Sequence, residues 1–182
     1  MTDKELAKRI CEGDLAAAEE FARGHYPAVL RLAMRLAGRQ EDAEDIAQET
    51  FLTARQKIHT YRGRSSLRTW IHRIALNHYR QWRRKRTTLP LVDHDRSSND
   101  GGIAAFETGH VLLNAMRGME EKQREAFVLF EVEQLSMSET AQVLGVPVGT
   151  AKARVHYARQ YLRRQLEGGP EVIRDAHPHT TH

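Results

Sequence analysis

The stretch Leu135–Leu166, "LSMSETAQVLGVPVGTAKARVHYARQYLRRQL", decides the fold of the second half of the chain. Ser138 suits the N-cap of a short helix on which Ala141, Val143 and Leu144 are apolar. Gly145 tolerates the left-handed backbone that reverses the chain. Val146 can pack beneath that turn, and Pro147 suits the first position of a following helix. Small Ala141, four residues before the turn glycine, allows two helices to approach closely. Together these features predict a helix-turn-helix.

The second helix of the pair carries one sign of charge. Residues 149–164 hold five Lys or Arg and no acid. If its N-terminal half enters the major groove, Thr150, Lys152, Arg154, His156, Tyr157 and Arg159 are the candidate DNA contacts. Lys and Arg donate to guanine O6 and N7, and the helix N-terminus favours phosphate. Arg163 and Arg164 fall beyond the groove, towards phosphate or solvent. The plain alternative is an amphipathic hairpin with a solvated basic face. The Ala–Gly spacing, the proline and the single sign of charge weigh against it.

Upstream, nearly every segment has helical period and no run alternates like a strand. One helix begins near Thr2, with Leu6 and Ile10 as core candidates. A second begins near Leu15 and carries the stripe Val29, Leu32, Ala33 and Leu36, with Gly38 as its stop. Pro27 either kinks it or begins a new helix. A third runs from about Gln40 to Thr60. A fourth is "RTWIHRIALNHYRQWRRKR", Arg68–Arg86, with seven Lys or Arg, no acid and both tryptophans.

These two neighbouring helices are charged oppositely. Residues 41–50 hold five acids and no base, and residues 62–86 hold nine bases and no acid. Glu41, Asp42, Glu44 and Asp45 suit a helix N-terminus, but Gln48 and Glu49 lie mid-helix. Asp45, Gln48 and Glu49 share one face, while Ile46, Phe51 and Leu52 can look inward. DNA repels such a face; a basic protein surface attracts it. On the basic helix, Ile71, Ala75, His78 and Trp82 line one side. Arg73, Asn77, Arg80 and Arg84 line the other, with Trp70 at the margin. Arginines bind phosphate, an amide reads a base edge, and an indole stacks on an unstacked base. The loop "YRGRSS", Tyr61–Ser66, adds Arg62, Arg64 and Ser65 and allows a tight turn at Gly63, forming a candidate pocket for an extruded base. Trp82 reads better as core; Trp70 suits core and base contact equally.

The whole is therefore an all-α protein of two small helical domains. The first spans 1–86 and the helix-turn-helix domain spans 109–167. Thr87–Thr108, rich in Ser, Asp, Asn and Gly, reads as a flexible linker, and 168–182 as a disordered tail. Twenty-two residues reach at most about 70 Å, roughly two turns of B-DNA. A single cysteine, Cys11, excludes an internal disulfide, and no apolar run approaches a membrane span. A soluble, cytoplasmic protein is expected. His177, His179 and His182 lack a supporting cysteine or carboxylate cluster, so no metal or cofactor is assigned. Scattered histidines give no nuclease constellation, and an all-helical first block gives no phosphorylatable receiver.

Taken together, "EDAEDIAQETFLTARQKIHTYRGRSSLRTWIHRIALNHYRQWRRKR" and "GMEEKQREAFVLFEVEQLSMSETAQVLGVPVGTAKARVHYAR" resemble the second and fourth regions of the bacterial sigma-70 family, in its small extracytoplasmic-function group. The resemblance implies a non-enzymatic factor that binds core RNA polymerase, at its clamp and flap regions, and promoter DNA. It places Asp45, Gln48 and Glu49 on the clamp. It places loop 61–66 and the helix bearing Asn77 on the −10 element, and the helix from Pro147 on the −35 element. It further implies control by an anti-sigma factor. Ala151 and the pair His156–Tyr157 depart from the family's commonest residues, which leaves the −35 sequence open. The alternative is a helix-turn-helix activator that is not a sigma factor.

Overall fold

A computed structural model describes residues 1–88, 112 and 114–167. Most of the expected linker, the expected start of the second block at Gly109, and the expected tail lie outside these residues. Among the described residues there is no strand. Seven helices follow in order: α1 (Asp3–Cys11), α2 (Leu15–Ala37), α3 (Gln40–Lys57), α4 (Leu67–Thr88), α5 (Glu121–Phe127), α6 (Met137–Leu144) and α7 (Val148–Glu167). A 3-10 turn, Ile58–Thr60, follows α3, and a π turn, Val128–Val132, follows α5.

Local chemistry sets most boundaries. Asp14 caps α2 by accepting from Ala17 N at 3.1 Å, and Gly38, at φ +79°, ends it. Pro27 lies inside this one helix, so no new helix begins there. Helix α4 runs through Thr88, two residues into the segment expected to be linker. Ser136, not Ser138, caps α6. Its hydroxyl accepts from Glu139 N while Glu139 accepts from Ser136 N, the reciprocal box that the S-x-x-E spacing encodes. Gly145 takes the left-handed turn as expected, at φ +70°. Pro147 stands just before α7, and its carbonyl accepts from Ala151 N.

The core is built on α4. Ile71 and Ala75 are buried, α2 and α3 pack on this helix, and Val29, Leu32, Leu36, Ile46 and Ala47 are buried in the same cluster. Burying a side chain the size of Ile71 contributes about 1.5–3 kcal/mol. Trp82 belongs to this side as well; it donates to Asp42 Oδ1 at 3.2 Å and stacks on Tyr79. Helix α4 has a second buried side that periodicity did not suggest. His72, Leu76 and Tyr79 are also buried, and α6 packs along this helix.

The start of α4 is fixed from two directions. Ser66 Oγ accepts from Thr69 N at 3.1 Å, an ordinary N-cap. Asp3, from the far end of the chain, accepts from Leu67 N at 2.7 Å. Replacing Asp3 with Ala leaves that donor unmatched and is expected to cost about 1 kcal/mol. Asp3→Asn keeps an accepting oxygen and should retain most of the stability. Urea midpoints of the three proteins check this.

Candidate functional site

The acidic face of α3 is assembled as expected, with one addition. Asp45, Gln48 and Glu49 are all exposed. Leu52, expected to point inward, is 54% exposed instead. It stands one helical repeat beyond Asp45, so it extends the same outward stripe. Ile46 is buried, and Phe51 is half-buried against Phe21 and Tyr26. Thr53 Oγ1 lies 2.8 Å from His78 Nε2, and burial lowers the pKa of this imidazole.

The loop before α4 is held tightly. Tyr61 donates to the Ser65 carbonyl at 2.6 Å, and its ring meets Trp70 edge-on at 5.8 Å. Gly63 has φ +68°, a conformation that disfavours side chains, and the Lys4 stem covers it. Arg62 and Arg64 are exposed and Ser65 is half-buried. Trp70 is half-buried, with Arg73 and Asn77 exposed on the turns that follow. Loop and helix therefore present a ring, an amide and several guanidinium groups together. Arg84 is exposed further along.

Arg80 departs from this group. Its Nε and Nη2 donate to the two carboxylate oxygens of Glu125 at 3.0 and 2.6 Å. These hydrogen bonds raise the pKa of the guanidinium further. Around it, Tyr79 donates to Glu121 at 2.5 Å, and Arg124 donates to both Tyr79 and Glu121 at 2.7 Å. Burial pushes the Tyr79 phenol well above its ordinary pKa. Arg31 donates to both oxygens of Glu133 at 3.3 and 3.1 Å. Arg68 donates to the Glu133 carbonyl, and His72 Nε2 stands 3.5 Å from its carboxylate. The π turn makes this possible: Glu133 N bonds to Val128 O, and the wider turn delivers Glu133 into the interior. Sequence reasoning missed Glu121, Glu125, Glu133 and Glu139 as partners of α4. The available signal was six acids against two bases in 119–139, next to a strongly basic helix elsewhere.

On α7, Ala151, Val155, Ala158 and Leu162 form the buried stripe. Thr150, Lys152, His156 and Tyr157 are exposed together, and Arg154 is half-buried. Arg159 turns back to its own unit. It donates to Glu131 at 2.7 Å and lies over the Phe130 ring.

Comparison with known proteins assigns these two units. Residues 21–88 match Sigma-70 region 2, and residues 110–162 match Sigma-70 region 4. The ECF RNA polymerase sigma factor SigM of Mycobacterium tuberculosis is 31% identical over 91% of this chain and 85% of its own length. The chain belongs to the sigma-70 family. Its relatives lie in the extracytoplasmic-function group. They include SigW of Bacillus subtilis, 28% identical over 91% of this chain and 97% of that protein. SigE of Mycolicibacterium smegmatis is 35% identical over 85% of this chain, which spans 64% of that protein's length. In fold, the chain is similar to CnrH, solved with the cytosolic domain of CnrY. The TM-score is 0.73 at 24% identity, covering 91% of this chain and 97% of that one. No described helix is long and apolar enough to cross a membrane, and the described residues hold no metal-ligand cluster.

Glu139 links the two units and titrates usefully. It accepts from Ser136 N at 2.9 Å and from Thr69 Oγ1 at 3.1 Å, and the backbone bond to Ser136 leads in lowering its pKa. A carboxylate so depressed stabilises the fold fully above its unfolded value of about 4.3. That contribution is lost as pH falls through the lower folded value. Glu139→Gln should therefore flatten the acid limb of stability against pH, as measured by urea titration of tryptophan fluorescence.

Proposed function

We propose that this sigma factor binds core RNA polymerase at its clamp and flap regions and directs it to promoters with a −35 and a −10 element. Its polymerase-binding face is Asp45, Gln48 and Glu49, which meet a basic protein surface. Loop 61–66 and α4 take the −10 element: Arg62, Arg64, Arg73 and Arg84 hold backbone, while Ser65, Trp70 and Asn77 contact an extruded base; Arg80, engaged by Glu125, is left for structure. Helix α7 reads the −35 element through Thr150, Lys152, Arg154, His156 and Tyr157. Arg159, engaged by Glu131, is left for phosphate or structure. The domains are 1–86 and 109–167, joined by the segment 87–108 and followed by the tail 168–182. The factor works in the cytoplasm and does no covalent chemistry; the polymerase does that. A separate anti-sigma factor holds it inactive. In support, RpoE of Bartonella quintana was solved with the anti-sigma factor NepR and shares this fold, with a TM-score of 0.66.

One observation carries this reading. The two sigma-70 regions occur in order on one chain, and the acidic and basic faces of the first are both exposed on neighbouring helices. Run-off transcription with purified core polymerase tests it. Specific transcripts are expected with core and this chain alone; an activator would need a second sigma factor.

Two substitutions separate the faces. Asp45→Arg or Glu49→Arg places like charges against the clamp and should weaken core binding by about tenfold or more. Asn77→Ala should leave core binding intact. Losing a base contact worth about 1–3 kcal/mol should reduce open-complex formation roughly 5- to 150-fold. Fluorescence anisotropy with core and permanganate footprinting of promoter DNA measure the two effects.

A further inference from the structure

In the first half of α7 the middle of the outward side is nearly bare. The buried stripe of this helix is Ala151, Val155, Ala158 and Leu162. At about 3.6 residues per turn, the direction opposite that stripe falls on Gly149 and Ala153. They stand one turn apart, and both are exposed. The longer exposed groups lie to either side: Lys152 and His156 on one flank, Thr150 and Tyr157 on the other. Guanidinium groups do not fill the gap. Arg154 is half-buried, and Arg159 is held by Glu131 over the Phe130 ring.

Nothing inside the protein asks for glycine at 149. Its φ is not positive, and a Cβ placed there would meet nothing within 4 Å. Alanine would suit the helix better, because glycine loses more backbone freedom on folding. A glycine that the fold does not need, and that costs the helix stability, fits a backbone that something outside must approach closely. On the sigma-factor reading that neighbour is the floor of the major groove. An alanine methyl at that depth meets the C5-methyl of thymine, the apolar group that a base pair shows in this groove.

We propose that Ala153 is a specificity-determining residue of α7. Its methyl packs on the 5-methyl of a thymine in the −35 element, and Gly149 lets the helix sit deep enough for that contact. The proposal rests on the sigma-factor reading. It makes the centre of the −35 contact an A·T pair read by shape. Lys152 and His156 on one flank, and Thr150 and Tyr157 on the other, read the adjacent pairs through hydrogen bonds.

The central test is made in the DNA, so it needs no altered protein to fold. Core polymerase with the full chain selects its promoter from a library of duplexes randomised at both elements. A thymine, on either strand, is expected in the selected −35 element. Replacing it by deoxyuridine removes the methyl alone and should weaken binding of the duplex to the holoenzyme about fourfold, the effect of one buried group of that size. Ala153→Gly should bind the thymine and uracil duplexes equally. Gly149→Ala should hold or raise the urea midpoint yet weaken binding of the selected duplex about fivefold or more, as crowding of a fitted contact does. Three results overturn the methyl contact: no thymine is selected, deoxyuridine at every selected thymine leaves binding unchanged, or Ala153→Gly keeps the full loss. Gly149→Ala binding as tightly as the unmodified chain overturns the close approach. Failure of the sigma-factor reading is a different result: core polymerase with the chain initiates on no member of the library.

Discussion

Glu125 and Glu133 have almost no water around them, and guanidinium groups replace it. That single requirement orders the rest of the structure. Arg80 must lie flat against Glu125, and Arg31 must reach Glu133 from α2. These pairs fix how α5, the π turn and α6 sit on α4. The apolar clusters of the two halves then form one continuous core.

Helix α4 pays for this with two buried sides. Ile71 and Ala75 are buried, and His72, Leu76 and Tyr79 on an adjoining side are buried as well. What remains fully exposed between Leu67 and Arg80 is narrow: Arg73 and Asn77, with Trp70 half-buried beside them. Asp3 and Ser66 hold the helix start, and Tyr61 holds the preceding loop to its own Ser65 carbonyl. The presentation of Trp70, Arg73 and Asn77 therefore depends on the first residues of the chain as well as on the loop. Such pre-organisation reduces the ordering cost of binding at this surface.

Charge segregation gives the molecule its two faces. An overall charge of +4 conceals an acidic α3 stripe and a basic α4. Asp42 marks the seam, where Trp82 and Arg86 both donate to it. Across that seam, a protein surface and a nucleic acid can be recognised side by side without competing for one sign of potential. The same segregation makes α4 attractive to the chain's own carboxylates, as Glu125 on Arg80 and Glu121 beside Arg83 show.

The sequence by itself determined the all-helical class, the helix-turn-helix with its left-handed Gly145, the acidic stripe Asp45–Gln48–Glu49 and the basic α4. Each is a local property: period, cap chemistry or a run of one charge. Even the α6 cap was legible in Ser136 and Glu139, three residues apart. Only the tertiary structure decided that Leu52 faces outward, that α4 is buried on a second side, and that Arg80 belongs to Glu125 in this conformation. Those outcomes depend on residues roughly 45 to 100 positions apart meeting in space. A one-dimensional pattern shows that a helix carries charge, but the partner of that charge is set by which surfaces exclude water together.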